Sequence, residues 1–457
     1  MREIRLHDTR SGDLVALAPD AAGAVGIYAC GPTVYGRIHI GNARPFVIFM
    51  LLKRFLEREG HAVTLVMNIT DVNDKIYDAA RAQGVGSAEL ALEMTERYRA
   101  DTDALALGRP DHEPLASEAM PAIIAYIEEL VRSGHAYAAD GDVYFAVRSD
   151  IGYGGLSHRR VDDMDQGEGL EGAERKRDPL DFALWKATKQ GEDTAWDSPW
   201  GPGRPGWHIE CSAMAEDVLG VGFDIHGGGS DLVFPHHENE AAQTRAARGH
   251  ELARLWMHNG MIQTTGEKMA KSVGNIAPLH EVIERYGAAA VVMYLISGHY
   301  RQPLAFSAAE LEGAERRVYR VRDALGRIAP GQASPPDMAA HRDAFLDALA
   351  NDFNTAKALG CMFAWIKQAN RRASLVGDAD LREMLSLLGL GELEPLGAVA
   401  DVAAVDPAAE ELRRERDLAR AARDFARADE LRERLRELGW EVRDAAAGSE
   451  LLPLADA

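Results

Sequence analysis

Val25-Gly26-Ile27-Tyr28-Ala29-Cys30-Gly31-Pro32-Thr33, followed shortly by His39-Ile40-Gly41-Asn42, is the stretch that decides the fold of this chain. Val25 to Ala29 is short, apolar and bounded by glycine, which predicts a buried strand. From Gly41 to Arg58 the residues Phe46, Ile48, Phe49, Leu52 and Phe55 recur at helical spacing. A second strand-like run, Ala62 to Met67, ends in Asn68-Ile69-Thr70-Asp71. Strand, turn, helix, strand is the opening of a parallel α/β sheet. Ligands in such sheets bind at the carboxyl ends of strands, near helix N-termini. Cys30, His39 and Thr70 all fall near such ends.

Outward from this core the pattern changes. From about Arg109 to Pro205 the chain holds a glycine-rich, charged stretch (Gly152 to Arg177) and then Trp185, Trp196 and Trp200. This region reads as an insertion between two halves of the sheet. The strand pattern resumes at Phe223-Asp224-Ile225-His226, followed by Gly227-Gly228-Gly229-Ser230-Asp231. Beyond about Ser307 the chain is strongly helical. Two linkers, Pro330 to Pro336 and Leu393 to Ala408, flank a helical bundle segment. An Arg-rich helical pair follows and ends near Gly439.

With 457 residues, several domains are expected. A hydrophobic content of 46% with both charge signs present indicates a soluble globular chain. No apolar run approaches the ~20 residues of a membrane span, and the N-terminus lacks the apolar stretch of a signal peptide. Three cysteines are too few for a disulfide framework and fit a reducing cytosol. Fifty-one basic against seventy-two acidic residues give a net charge of -21, which argues against nonspecific nucleic-acid binding. An RNA partner would have to meet a local basic patch. Arg413, Arg416, Arg420, Arg423 and Arg427 recur every three or four residues and form one stripe if helical. Interleaved acidic residues leave a solvated, salt-bridged face as the alternative.

Cys30, Cys211, His236 and Glu240 do not have zinc-finger spacing. They meet only if the fold brings two strand ends together. His236 and Glu240 stand four apart and share a face if Phe234 to Ala241 is helical. Two thiolates, an imidazole and a carboxylate are good zinc ligands. His237 competes with His236 for the assignment, and two buried cysteines beside a solvated helix face remain the alternative.

His39-Ile40-Gly41-Asn42 and Lys268-Met269-Ala270-Lys271-Ser272 resemble, in order and separation, the HIGH and KMSKS signatures of class I aminoacyl-tRNA synthetases. The contexts of Cys30, Cys211, His236 and Glu240 narrow the resemblance to the cysteinyl-tRNA synthetase family, over nearly the whole chain. Asn42 and Ala270 depart from the signature letters.

The resemblance implies an α/β fold: a Rossmann-like parallel-sheet catalytic domain over 1–108 and 206–306, carrying a KMSKS-type loop. It also implies a connective insertion (109–205), an α-helical bundle (307–392) and a small C-terminal anticodon-binding module (409–457). ATP would meet His39, Gly41, Asn42, Gly228, Asp231 and Lys271. His39, Asn42, Lys268 and Lys271 would be catalytic, the lysines neutralising charge on phosphates. Gly31, Thr33, Thr70 and Trp207 would surround cysteine. One Zn2+ on Cys30, Cys211, His236 and Glu240 would select its thiol over the hydroxyl of serine. Arg420, Asp429, Arg432 and Asp444 would contact tRNA(Cys), with Trp440 as a stacking platform. The expected substrates are L-cysteine, ATP with Mg2+, and tRNA(Cys), in a cytoplasmic monomer without membrane attachment. A ligase joining cysteine to an amino-sugar would share the nucleotide and zinc sites but need no anticodon module. The residues after Leu393 favour the synthetase. A catalytically dead tRNA-binding paralogue is disfavoured by the presence of both Lys268 and Lys271.

Overall fold

The computed structural model describes residues 2–19, 23–164, 173–264, 267–268, 277–396, 407–422, 424–445 and 448–453. Four parallel strands form the central sheet: β1 (Ala24–Ala29), β2 (Ala62–Met67), β3 (Phe223–Gly229) and β4 (Ala253–Asn259), in the order β4-β3-β1-β2. The chain runs from β1 to β2 on one side. It returns, more than a hundred and fifty residues later, as β3 on the other side of β1. The carboxyl ends of β1 and β3 therefore flank the point where strand order reverses, the usual ligand crevice of such sheets.

Helix α1 (Ile40–Arg58) crosses from β1 to β2. Its residues Phe46, Phe49, Leu52 and Phe55, spaced three apart, are all buried in the largest core cluster with Ile27, Leu65 and Ile225. Helical periodicity thus places one face of α1 on the sheet. The sequence reading put Gly227 to Gly229 after a strand, whereas they lie inside β3. A Cβ at Gly227 would fall 2.1 Å from the Phe49 ring and 2.6 Å from the Met257 carbonyl. Close packing between sheet and helix, and not a turn, therefore requires that glycine.

The insertion between β2 and β3 carries an antiparallel four-stranded sheet: Ala136–Ala139, Asp142–Phe145, Phe182–Ala187 and Gly203–Pro205. It has its own core around Phe145, Phe182 and Trp185. Helix α2 (Trp207–Leu219) leaves that sheet, and α3 (Glu238–Arg248) connects β3 to β4. Helices over Ala308–Arg327, Ala339–Ala350, Thr355–Ala369 and Ala379–Leu387 form the expected bundle. Of the basic stripe, Arg413, Arg416 and Arg420 fall on α4 (Pro407–Ala421) and Arg427 on α5 (Phe425–Glu437), which Asp424 caps, while Arg423 lies outside the described residues. A hairpin of Trp440–Ala445 and Gly448–Pro453, which the sequence did not reveal, closes this module. Trp440 is buried in the module's own core with Leu412, Leu431 and Leu435, so it is no stacking platform. Among the described residues no helix is long and apolar enough to cross a membrane.

Candidate active site and metal centre

The four expected metal ligands converge. Ligand atoms of Cys30, Cys211, His236 and Glu240 all lie within 4.8 Å of one another, and all four residues are buried. Cys30 directly follows β1, Cys211 sits in the second turn of α2, and His236 and Glu240 flank the start of α3. Phe234 is extended (φ -139°, ψ 133°), so the turn bringing His236 over Glu240 begins one residue later than the sequence suggested. The Cys30 and Cys211 sulfurs are 3.8 Å apart, Cys30 Sγ is 3.7 Å from Glu240 Oε1, and His236 Nε2 is 3.0 Å from the same oxygen.

Neighbours orient these groups. His208 Nδ1 and His236 Nδ1 share a hydrogen bond of 2.9 Å, which leaves His236 Nε2 facing the sulfurs. His226 Nε2 holds the second Glu240 oxygen at 2.8 Å. Trp207 stacks on His236 with centroids 4.2 Å apart and planes at 22°. His237 forms a competing set with Cys30, His226 and Glu240. Its Nδ1 pairs with His258 at 2.7 Å, and its Nε2 lies 3.3 Å from Cys30 Sγ. Sequence reasoning missed His208, His226 and His258. No local spacing marks them, because each acts through a partner on another element.

The charge state suits a cation. The hydrogen bond from Cys30 draws the Cys211 thiol down to about 6, against burial. Burial, then the neighbouring Cys211, pushes the Cys30 thiol well up. Burial opposes ionisation of Glu240, but His226 and His236 hold it well below the usual carboxylate range. Burial disfavours the His236 cation, yet Glu240 and Cys211 raise it to about 10. A proton on His236 thus stands where a metal would balance the same thiolate and carboxylate.

The residues expected around cysteine follow the ends of β1 and β2 or sit on α2. Gly31 N–H donates to Asn68 Oδ1 at 3.0 Å, and Asn68 Nδ2 donates to Thr70 Oγ1 at 3.2 Å. Thr33 and Thr70 are bridged through their backbones, which ties the ends of β1 and β2 together. Trp207 is half-buried above His236. Gly31 thus follows Cys30 directly, Trp207 stacks on His236, and Thr33 is tied to Thr70 by a backbone bridge.

His39 and Asn42 form a reciprocal capping box at the start of α1. His39 Nδ1 accepts from Gly41 N–H at 3.0 Å, and Asn42 Oδ1 accepts from His39 N–H at 3.2 Å. This arrangement fixes a helix N-terminus, a ready site for a phosphate. Asn42 is exposed. Ile40 N–H donates to the Ala277 carbonyl, and Leu279 N–H to that of Ile38. The segment following the second signature is thereby stitched to the first. Lys268 ends a short strand paired with Gln263, while Lys271 lies outside the described residues. Gly228 is buried in β3 and Asp231 is exposed just beyond it.

Arg420, Asp429 and Arg432 are exposed on the C-terminal helix pair, and Asp444 pairs with Ser449 in the hairpin. Part of the stripe is engaged internally. Arg413 meets Glu410 and Asp417, and Arg427 meets Glu430 and Glu415.

Residues 16–316 match the family described as tRNA synthetases class I (C) catalytic domain, and residues 344–393 match a DALR domain. A cysteine--tRNA ligase of Halorhodospira halophila is 44% identical, covering 98% of each chain. That of Parvibaculum lavamentivorans is also 44% identical, covering 98% of this chain and 97% of its own. The chain belongs to the cysteine--tRNA ligase family of class I synthetases. Its fold is shared with Mycobacterium tuberculosis methionyl-tRNA synthetase in complex with methionyl-adenylate, at a TM-score of 0.59 and 16% identity over 80% of this chain and 88% of that one. Family membership and geometry agree on one crevice. The capping box, the glycines of β3 and the sulfur-bearing cluster all lie at the carboxyl ends of the sheet strands.

Proposed function

We propose that this protein is an ATP-dependent ligase that activates L-cysteine as cysteinyl-adenylate and transfers it to tRNA(Cys), releasing pyrophosphate and then AMP. The observation that carries the reading is the buried cluster of two thiols, an imidazole and a carboxylate at the strand-order reversal, beside a capped helix N-terminus. It supports a site for Zn2+ on Cys30, Cys211, His236 and Glu240, which when bound supplies a soft Lewis acid that prefers a thiolate to a hydroxyl. His226 and His208 orient Glu240 and His236 within it.

Trp207, Thr33, Thr70 and Gly31 enclose the amino acid so that its carboxylate faces the α1 N-terminus. There His39, Gly41 and Asn42 receive the phosphates of ATP, which arrives with Mg2+, and Gly228 and Asp231 border the adenosine. The cysteine carboxylate oxygen attacks the α-phosphorus and pyrophosphate leaves. Lys268 and Lys271 neutralise the charge that develops there. A terminal ribose hydroxyl of tRNA then attacks the acyl carbon and AMP departs. Residues 1–108 and 206–306 act as the catalytic domain, 109–205 as the connective insertion and 307–392 as the bundle. Residues 409–457, through Arg420, Asp429, Arg432 and Asp444, act as the anticodon module of a cytoplasmic monomer.

Radiolabelled cysteine offered to tRNA and to an amino-sugar tests this assignment. Transfer to tRNA alone is expected, and transfer to the sugar alone refutes it.

A further inference from the structure

Glu210 is fully buried in α2, immediately before Cys211 and one turn after Trp207. Neither of its carboxyl oxygens makes a well-formed hydrogen bond among the described residues, and the Thr70 hydroxyl is its one donor within range. A buried carboxyl so short of donors is costly, and native sites rarely tolerate one without a use. Two nearby carboxyls, by contrast, have both oxygens engaged. Asp71 accepts from Ser117 N–H at 2.9 Å and from its hydroxyl at 2.5 Å. Glu240 has one oxygen against His236 and the other against His226. The neighbours of Glu210 are Cys211 and His236 of the cluster, Asp71 and the Thr70 hydroxyl, which sets it between the cluster and the segment that follows β2.

We propose that Glu210 is a specificity residue that receives the α-ammonium group of the amino-acid substrate. This deepens the ligase reading and rests on it. In cysteine two carbon atoms separate sulfur from nitrogen. A thiol held at the cluster to which Cys211 belongs therefore leaves the ammonium close to the turn of α2 that carries both Cys211 and Glu210. Trp207, on the same face three residues earlier, packs over His236 and closes that side. An ammonium group buried here needs an acceptor with lone pairs to spare, and Glu210 has four. The site would then reject thiols that lack the amine, because Glu210 would remain unpaired.

Titration calorimetry of the zinc-loaded, ATP-free protein with L-cysteine and with 3-mercaptopropionate, which lacks the amine, decides the matter. Glu210→Gln is expected to weaken cysteine about 10- to 100-fold and to leave 3-mercaptopropionate within about twofold. Glu210→Asp, which keeps the charge one methylene further back, should give a smaller loss for cysteine and none for the analogue. Should Glu210→Gln fail to fold, the same contrast read on Glu210→Asp decides. Equal weakening of both ligands, or unchanged cysteine binding, overturns the proposal in favour of a structural role. Cysteine-dependent pyrophosphate exchange by the wild-type protein judges the ligase reading separately. Its absence would refute that reading whatever the calorimetry gave.

Discussion

Replacing His226 with phenylalanine separates the two overlapping metal sets that the crevice contains. In the set Cys30, Cys211, His236 and Glu240, His226 is an outer partner that donates from Nε2 to Glu240 Oε2 over 2.8 Å. In the other set, Cys30, His226, His237 and Glu240, it is itself a ligand. Phenylalanine preserves the ring stacked on Trp256, whose centroid is 4.6 Å away at 18°. His226 Nδ1 has no partner among the described residues, so the substitution removes a single hydrogen bond seen there. That bond is wholly buried and its acceptor is ionised, which makes it worth about 1.5–3 kcal/mol, or ~10- to 150-fold in zinc affinity. Cys211→Ser, by contrast, removes a thiolate ligand and should cost more than His226→Phe. It should also erode the preference for cysteine over serine. Competition against a chromophoric chelator measures both affinities. If Cys211→Ser keeps wild-type zinc affinity while His226→Phe abolishes binding, the metal sits in the His226–His237 set and the argument from the two thiols is wrong.

Gly31→Ala should raise the KM for cysteine at least tenfold and lower the melting temperature. Its Cβ would lie 1.7 Å from the Asn68 carbonyl oxygen and force apart the strand ends that form the pocket; wild-type kinetics would show that those ends can yield. Lys271→Ala should slow cysteine-dependent pyrophosphate exchange by two or more orders of magnitude while leaving cysteine affinity nearly unchanged, because the charge it meets exists only in the transition state. A normal exchange rate would remove this lysine from the chemistry. Ending the chain after Leu396 should preserve exchange but sharply raise the tRNA concentration needed for charging and flatten its salt dependence. Undiminished charging would reduce the arginine stripe to a solvated face.

The central strands and α1 were legible in the sequence because local rules decide them. Apolar continuity marks a strand buried on both faces, and the recurrence of Phe46, Phe49, Leu52 and Phe55 marks one helix face. The four metal candidates were legible as residue types in family contexts, and their convergence is now seen at atomic distances. The histidines around them were not. His208, His226 and His258 earn their positions from packing across α2, β3 and β4, and no period of 2 or 3.6 encodes a partner on another element. Gly227 misled for a related reason. Glycine after a strand usually signals a turn, but here a phenylalanine ring from α1 occupies the space a side chain would need. Trp440 likewise suggested a stacking surface until the hairpin folded it into the core of its own module.

Glu210 and Glu240 show why position within a crevice matters more than residue type. Both are fully buried carboxyls on helices that border one cluster. Glu240 is surrounded by imidazoles, which hold it ionised and commit both oxygens. Glu210 is buried beside Cys211, and its oxygens are not committed to imidazoles as those of Glu240 are. The first environment favours a fixed cation shared with two sulfurs. The second is unfavourable for a lone carboxylate and becomes favourable only when a cationic donor enters with the substrate. A thiol acid without an amine satisfies the first group and not the second, and an amino acid without a thiol does the reverse. Selection for cysteine would therefore need both carboxyls, each reading a different end of one small molecule.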